Sequence, residues 1–164
     1  IYYSLGDFKK ALEYQNNSLA LGQELGDRQG EANALGNIGS TYSSLGDFKK
    51  ALEYQNNSLA LKQELGNRQG EANTLGNIGS IYYSLGDFKK ALEYQNNSLK
   101  IATKNDYIQI QAKALKQIAL TLIKQENYKD AKTNLLQAKR LYEAMSLQKK
   151  IKEIQQHLDA LANH

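Results

Sequence analysis

Small and apolar residues recur along the chain with the spacing of amphipathic helices. The segment 31–45 is the clearest example. Five of its residues share one helical face: Ala32, Leu35, Ile38, Gly39 and Tyr42. Because their offsets of 3, 6, 7 and 10 positions fit the period of an α-helix, we predict a helix here and name it helix A.

A second amphipathic stripe follows after a short break. Leu45-Gly46-Asp47 supplies a helix end, a glycine suited to left-handed backbone and an N-cap side chain. Helix B then begins at Phe48 and continues until Leu65-Gly66-Asn67 interrupts the pattern in the same way. The unit is therefore predicted to be two antiparallel helices, and neighbouring units must stack because neither helix can bury its stripe alone.

The A and B pattern repeats every forty residues. Residues 1–40 and 41–80 differ at five positions, and residues 81–99 copy 1–19 without a change. The copies diverge from Lys100 onward, although the period still aligns Ala51 with Ala131. Self-similarity of this period indicates a solenoid. Because the first residues fall inside a helix A pattern, we expect residues 1–145 to form an array with a truncated first repeat and about four helical pairs.

The last segment, residues 146–164, carries a different pattern. Its apolar residues are spaced 4, 3, 4 and 3: Leu147, Ile151, Ile154, Leu158 and Leu161. This spacing predicts an amphipathic helix that caps the exposed face of the last unit. A coiled coil is the alternative, but two heptads fall short of the usual three or four.

The repeated unit resembles the tetratricopeptide repeat (TPR). The resemblance rests on small and aromatic residues at characteristic places: Leu35, Ile38-Gly39, Tyr42, Leu45-Gly46, Phe48, Ala51 and Ser58. The forty-residue period resembles the longer variant of Partner-of-Inscuteable adaptors and bacterial multi-repeat proteins. The resemblance implies an all-α TPR solenoid, wound as a right-handed superhelix of antiparallel helix pairs, with helix A lining the concave groove.

Candidate binding residues lie on the groove side of helix A. In the copied units this side is small, polar and uncharged: Asn33, Asn37, Ser40, Ser44, Asn73, Asn77, Ser80 and Ser84. In the last unit it becomes Lys113, Lys116, Gln117 and Lys124. A carboxamide offers two donors and an acceptor, which suits a peptide backbone. The alternative, that these asparagines are solvent-exposed and inherited with the repeat, stays open.

Charge separates the two ends of the chain. Residues 1–99 hold 9 Lys/Arg and 11 Asp/Glu, a net charge of −2, whereas residues 100–164 hold 12 and 6, a net charge of +6. The groove is therefore expected to change from neutral to basic and to suit an acidic or C-terminal peptide over Lys113, Lys116 and Lys124. The carboxylate clamp of some TPR co-chaperones is incomplete here, because Gly36, Ser40 and Gln117 replace its charged and amide groups.

Composition excludes several other functions. The chain has no Pro, Cys or Trp, and its two imidazoles are His157 and His164. We therefore expect no active site, metal or cofactor. The basic residues are not interleaved with aromatics as in nucleic-acid binders, and no stretch approaches the roughly 20 apolar residues of a membrane helix. We expect a cytoplasmic protein without nucleic-acid or membrane partners.

The sequence predicts a non-catalytic module that holds a peptide or helix of a partner protein, as an adaptor or scaffold does. Two alternatives remain. One is self-association through an uncapped N-terminal repeat that exposes Tyr2, Leu5 and Phe8. The other is a regulatory or sensor arm of a larger signalling protein.

Overall fold

The computed structural model describes residues 5–163, and side chains from residue 7 to 162. Over this range the chain is helical and contains no strand. The elements in order are α1 (Leu5–Leu25), α2 (Arg28–Ser44), α3 (Phe48–Glu64), α4 (Arg68–Ser84), α5 (Phe88–Lys104), α6 (Ile108–Lys124), α7 (Tyr128–Ala144) and α8 (Gln148–Ala160), followed by a 3₁₀ turn (Leu161–Asn163). Tyr2 and the side chain of Leu5, named above for self-association, lie outside the described residues.

The helices alternate as the sequence predicts. Helices α2, α4 and α6 are A helices, and each packs against the B helix that follows it. The A helices of neighbouring pairs also contact each other, α2 with α4 and α4 with α6, so they form the inner, concave layer. The predicted all-α solenoid of antiparallel helix pairs with a C-terminal capping helix is confirmed for residues 5–163. The described chain holds three complete A/B pairs after α1, and the boundary at residue 146 stays a prediction.

Glycines end the helices of the copied units. Gly26, Gly46, Gly66 and Gly86 have φ values of 67°, 79°, 65° and 78°, a left-handed conformation that costs a glycine little. The next residue caps the following helix. For example, the carboxylate of Asp27 accepts a hydrogen bond from the backbone N–H of Gly30 at 2.8 Å. These local signals fix where each helix stops and the next begins.

Within each copied pair, helix A and helix B cross at a glycine. A Cβ atom added to Gly39 would lie 2.9 Å from Cγ of Gln55 and 3.1 Å from the carbonyl oxygen of Ala51. The Gln55 side chain fills the space beside Gly39, and its amide donates hydrogen bonds to Gly36 O at 2.9 Å and Ser40 Oγ at 3.1 Å. Close approach of the two backbones therefore depends on glycine and on a buried polar side chain.

The C-terminal end has the most extensive apolar core. Helices α6, α7 and α8 and the final turn contribute buried residues, including Leu115, Leu135, Ile154, Leu158 and Leu161. Helix α8 lies against α7 and covers the apolar surface that the last pair would otherwise expose. None of the described helices combines the length and apolar character that a bilayer crossing requires.

Candidate functional site

A cavity of about 740 Å³ lies between α4, α6, α8 and the turns beside them. Its apolar wall includes Tyr107, Ile108, Met145 and Leu147. Polar groups enter from three helices: Gln69 and Asn73 from α4, Lys113 and Lys116 from α6, and Lys150 from α8. A site with an apolar wall and a few converging polar groups has the general character of a ligand-binding cleft.

The lysines of this cavity are only partly neutralised. Nζ of Lys116 lies 2.8 Å from Glu153, which also pairs with Lys150 at 3.3 Å. Nζ of Lys113 donates instead to Oδ1 of Asn77 at 3.3 Å. Asp106 is the carboxylate that lines the cavity, yet among the described residues no carboxylate lies within ion-pair distance of Lys113.

These contacts lower the pKa values of Lys113 and Glu153. The lower pKa disfavours the charged form of Lys113 and favours the charged form of Glu153. Partial desolvation inside the groove, with added repulsion from Lys116 and Lys150, lowers the pKa of Lys113. The hydrogen bond from Lys116 lowers the pKa of Glu153, with help from Lys150. Glu153 therefore stays ionised to a lower pH than an ordinary glutamate, whereas Lys113 is a cation with other cations nearby. An anion placed beside Lys113 would relieve that repulsion.

A smaller cavity of about 220 Å³ continues along α6 towards α4 and α5. Ser80, Gln117 and Leu120 line it, and Lys113 and Lys116 border both this cavity and the larger one. The amide of Gln117 donates hydrogen bonds to the Ser80 hydroxyl and to the carbonyl oxygen of Gly76. The structure thus brings six predicted residues together: Asn73, Asn77, Ser80, Lys113, Lys116 and Gln117.

The predicted residues of the preceding unit lie further along the groove. Asn37, Ser40 and Ser44 line a cavity of about 360 Å³ between α1 and α2. Asn33 is exposed, and its Oδ1 accepts a hydrogen bond from Gln29 at 3.2 Å. The exposed amide of Asn37 makes no hydrogen bond within residues 5–163, so it is available to a ligand.

Most of the serines direct their hydroxyl protons back to their own helix. Ser40 and Ser80 donate to Gly36 O and Gly76 O at 2.9 and 3.1 Å, and Ser44 and Ser84 donate to the carbonyls of Ser40 and Ser80 at 3.0 and 3.1 Å. Their oxygen atoms can still accept hydrogen bonds from a ligand. Lys124 is the last residue of α6 and lies about 12 Å along the helix axis from Lys116, apart from the other lysines.

Sequence reasoning missed several groups that line or support the groove. Lys150 and Glu153 come from α8, which was interpreted only as a cap, and Gln55 comes from a B helix. The spacing of Lys150 and Glu153 on the polar side of an amphipathic helix was the available signal. Within residues 5–163, no cluster of His, Asp and Glu side chains is arranged to hold a metal ion.

One buried cation lies beside the groove. Lys62 is 8% exposed, and its Nζ donates to Oγ1 of Thr74 at 3.0 Å. Burial lowers its pKa. The repeat places Gly22, Ala102 and Tyr142 at the equivalent positions, so this lysine distinguishes the α3–α4 interface from the others.

Comparison with known proteins identifies the repeat. The profile of the tetratricopeptide repeat family matches residues 1–64, 32–104 and 70–144. The chain belongs to the tetratricopeptide repeat family. Residues 41–80 alone span one full period of this TPR array, and the family-wide pattern of helix pairs accounts for the alternating A and B helices described above.

Several proteins resemble parts or all of the chain. Human G-protein-signaling modulator 1 is 48% identical over 40 residues, which are 24% of this chain and 6% of that protein. The crystal structure of BtubC (BKLC) from P. vanneervenii has a TM-score of 0.81 at 16% identity and covers 94% of this chain and 65% of that one. The crystal structure of the apo form of RapI has a TM-score of 0.82 at 20% identity, and the match covers 90% of this chain and 54% of RapI.

These structural likenesses concern the fold of the TPR array. The chain spans 6% of the curated relative and 65% and 54% of the two structures. TPR repeats are protein–protein interaction modules, and the fold is generally non-catalytic. The general class of function expected from the sequence, an interaction module, agrees with this.

Proposed function

We propose that the concave groove holds an acidic peptide segment of a partner protein, with the cavity between α4, α6 and α8 as its principal site. The observation that carries this proposal is Lys113. Its side chain is exposed to solvent at the wall of this cavity, and its ammonium group is repelled by Lys116 and Lys150, donates to an amide oxygen of Asn77, and has no carboxylate partner among the described residues. A carboxylate of a ligand would supply the missing counter-charge.

Amide groups along the groove would hold the peptide backbone between charged contacts. Asn37, Asn73 and Asn77 recur on the concave side of α2 and α4. Packed helices lie about 8–10 Å apart, and an extended peptide advances about 3.3 Å per residue. Asn37 and Asn77 would then contact backbone groups roughly three residues apart. Lys124 would meet an acidic residue only in a ligand that continues along α6.

A binding assay with labelled peptides tests the proposal. The probes are capped ten-residue peptides rich in Asp and Glu, and matched peptides with Asn and Gln in their place. Replacing both Lys113 and Lys150 by Glu should lower the affinity for the acidic peptides at least tenfold. It should also make that affinity less dependent on salt concentration. Lys116 is left unchanged because its loss would leave Glu153 without its closer partner.

The matched control makes the same charge change on the outer face. Lys49 and Lys89 are exposed residues of α3 and α5, and their replacement by Glu should alter affinity about twofold or less. Raising the pH should also weaken the binding of acidic peptides once Lys113 loses its proton, because the pKa of Lys113 is lower than that of an ordinary lysine. Equal binding of acidic and neutral peptides, or equal effects of the two double substitutions, would refute the proposal.

Self-association is a second candidate, favoured by the exposed apolar surface of α1. Leu21 is 55% exposed, whereas its equivalents Leu61 and Ile101 are 8% and 9% exposed because they pack against α2 and α4. We propose that a second copy of the chain can cover Leu21. Sedimentation velocity across concentration should then show a dimer that Leu21→Glu abolishes, and a monomer at all concentrations would reject this candidate.

A further inference from the structure

Gln15, Gln55 and Gln95 occupy equivalent positions of the repeat, but Gln55 lacks a hydrogen bond that the other two make. Oε1 of Gln15 accepts from Thr41 at 3.1 Å, and Oε1 of Gln95 accepts from Thr121 at 3.0 Å. Both contacts join a B helix to the A helix that follows. For Gln55 the equivalent residue is Ile81, which has no donor, and Oε1 of Gln55 has no partner among the described residues.

The orientation of the Gln55 amide is fixed. Its nitrogen donates to Gly36 O at 2.9 Å and to Ser40 Oγ at 3.1 Å. Because a carbonyl oxygen such as Gly36 O can only accept, exchanging the two ends of the amide would set oxygen against oxygen. The atom without a partner is therefore the oxygen, and the side chain is only 1% exposed. A buried polar group without a partner is uncommon enough to require a cause.

Gln55 borders an open space of the groove. A cavity of about 170 Å³ is lined by Ser40, Ser43, Gln55, Asn77, Ser80 and Ile81. This volume is well above the ~10–15 Å³ that one water molecule needs. The neighbouring cavity of about 220 Å³ shares Ser80 and is lined by Gln117. Oε1 of Gln117 is the other buried side-chain atom that lacks a partner within the described chain.

We propose that these two cavities are adjacent subsites for amide groups, in which Oε1 of Gln55 and Oε1 of Gln117 accept hydrogen bonds from N–H groups of the ligand. Each subsite pairs an unsatisfied acceptor with a nearby donor. Asn77 lines the Gln55 cavity, and its Nδ2 makes no hydrogen bond within residues 5–163. Lys113 lines the Gln117 cavity.

An acceptor beside a donor complements an amide, which carries one N–H and one C=O group. The ligand class is therefore a chain with successive amide groups, either a peptide backbone or a segment with Asn or Gln side chains. Both glutamine oxygens are covered in the free chain. In the first subsite a lining side chain has to move before a ligand reaches the oxygen, and Ile81 stands at the repeat position from which Thr41 and Thr121 contact the equivalent oxygens.

This inference deepens the proposed function and rests on it for the ligand, but the subsites can be tested without a peptide. The probe is acetamide, which carries N–H donors, and N,N-dimethylacetamide is the matched control because it has none. Each is titrated while the side-chain NH₂ signals of Gln55 and Gln117 are followed by ¹H–¹⁵N NMR. Acetamide should shift both signals in a saturable way, with shifts at least fivefold larger than those caused by the control.

Ile81→Thr is the decisive variant. It restores the donor found at Thr41 and Thr121, so it should satisfy Oε1 of Gln55 internally, reduce the Gln55 response to acetamide at least fivefold and leave the Gln117 response unchanged. A cooperative melting transition and an unchanged far-UV circular dichroism spectrum show that the variant folds.

Equal responses to the two amides, or an undiminished Gln55 response in Ile81→Thr, would overturn the inference. A missing acetamide response together with tight binding of acidic peptides would reject the subsites and leave the proposed function standing. An acetamide response without any binding of acidic peptides would support the subsites and reject the proposed function.

Discussion

The copied pair α4–α5 and the diverged pair α6–α7 form the same helix crossing with different chemistry. In α4–α5 the crossing joins Gly79 to the buried amide of Gln95, whereas the equivalent residues of α6–α7 are Ala119 and Leu135, both fully buried. A glycine with a polar side chain and an alanine with an apolar one fill nearly the same space. The repeat therefore keeps the same pairing of helices while its core changes from polar to apolar.

The two regions also differ in their turns. Gly86 has the left-handed conformation after α4, but Asp106, Glu126 and Ser146 take it in the diverged region, with φ values of 55°, 59° and 56°. Within the described chain, Tyr107 and Leu147 precede α6 and α8 without a side-chain cap. The diverged end thus combines less favourable turns with a larger apolar core, so tertiary packing there compensates for weak local signals.

The largest expected effect comes from placing the diverged residue in the copied pair. A Cβ atom on Gly79 would lie 2.8 Å from Cγ of Gln95 and 3.2 Å from Ala91 O. We expect Gly79→Ala to lower the free energy of unfolding by about 1–2 kcal/mol, because overpacking outweighs the gain in helix propensity. Urea denaturation measures the change.

Gly76→Ala is the matched control on the same helix. Its added Cβ would meet ordinary contacts at 3.4 Å or more, so the helix should gain up to about 1 kcal/mol. Equal effects of the two substitutions would contradict the view that the close crossing at Gly79 requires glycine.

The next effect concerns Lys62, whose equivalent in the diverged region is the buried Tyr142. Lys62→Met should stabilise the chain by about 1–2 kcal/mol at pH 7, because it removes a buried charge that has no carboxylate partner among the described side chains. Thr74 keeps its hydrogen bond to Gly70 O at 2.9 Å. Chemical denaturation of both proteins measures the difference.

The pH dependence gives this prediction a sign. The pKa of Lys62 is lower in the folded chain than in the unfolded one, so the unfolded chain binds more protons between the two values and wild-type stability rises with pH there. The advantage of Lys62→Met should therefore shrink as the pH rises through that range. A constant difference between pH 7 and 10 would show that Lys62 is not a buried cation.

The smallest effect tests the turns. Replacing Glu126 by Gly in the diverged region should stabilise the chain by about 0.5–1 kcal/mol, because its positive φ is strained for a side chain that has a Cβ. The reverse change, Gly66→Ala, should destabilise a copied turn by a similar amount. Thermal denaturation of both variants checks the pair, and changes of the same sign would contradict the explanation.

Local sequence signals predicted most of the fold. Helix A was expected at 31–45 and spans Arg28–Ser44, and helix B was expected to end at Leu65 and ends at Glu64. Gly46 and Asp47 mark this boundary through preferences that depend on neighbouring residues alone. The groove side of helix A follows from helical period and the TPR resemblance together, although its role in binding stays a prediction.

Contacts between distant residues could not be predicted in the same way. The pairing of Lys116 with Glu153 joins α6 to α8 across 37 positions, and it depends on how the capping helix is rotated against the last pair. The buried state of Lys62 depends likewise on packing between α3 and α4. A periodic pattern gives the direction of a side chain on its own helix but not the group that it meets on another.

The sequence by itself determined the period, most of the helix ends, the family and the change of net charge along the chain, because these depend on local backbone preferences and composition. The tertiary structure decided which polar groups are satisfied. Thr41 and Thr121 each donate a hydrogen bond to a glutamine Oε1 on another helix, whereas Ile81 offers no donor to Oε1 of Gln55. Hydrogen-bond satisfaction is a property of two packed surfaces, so it appears only when the helices are stacked.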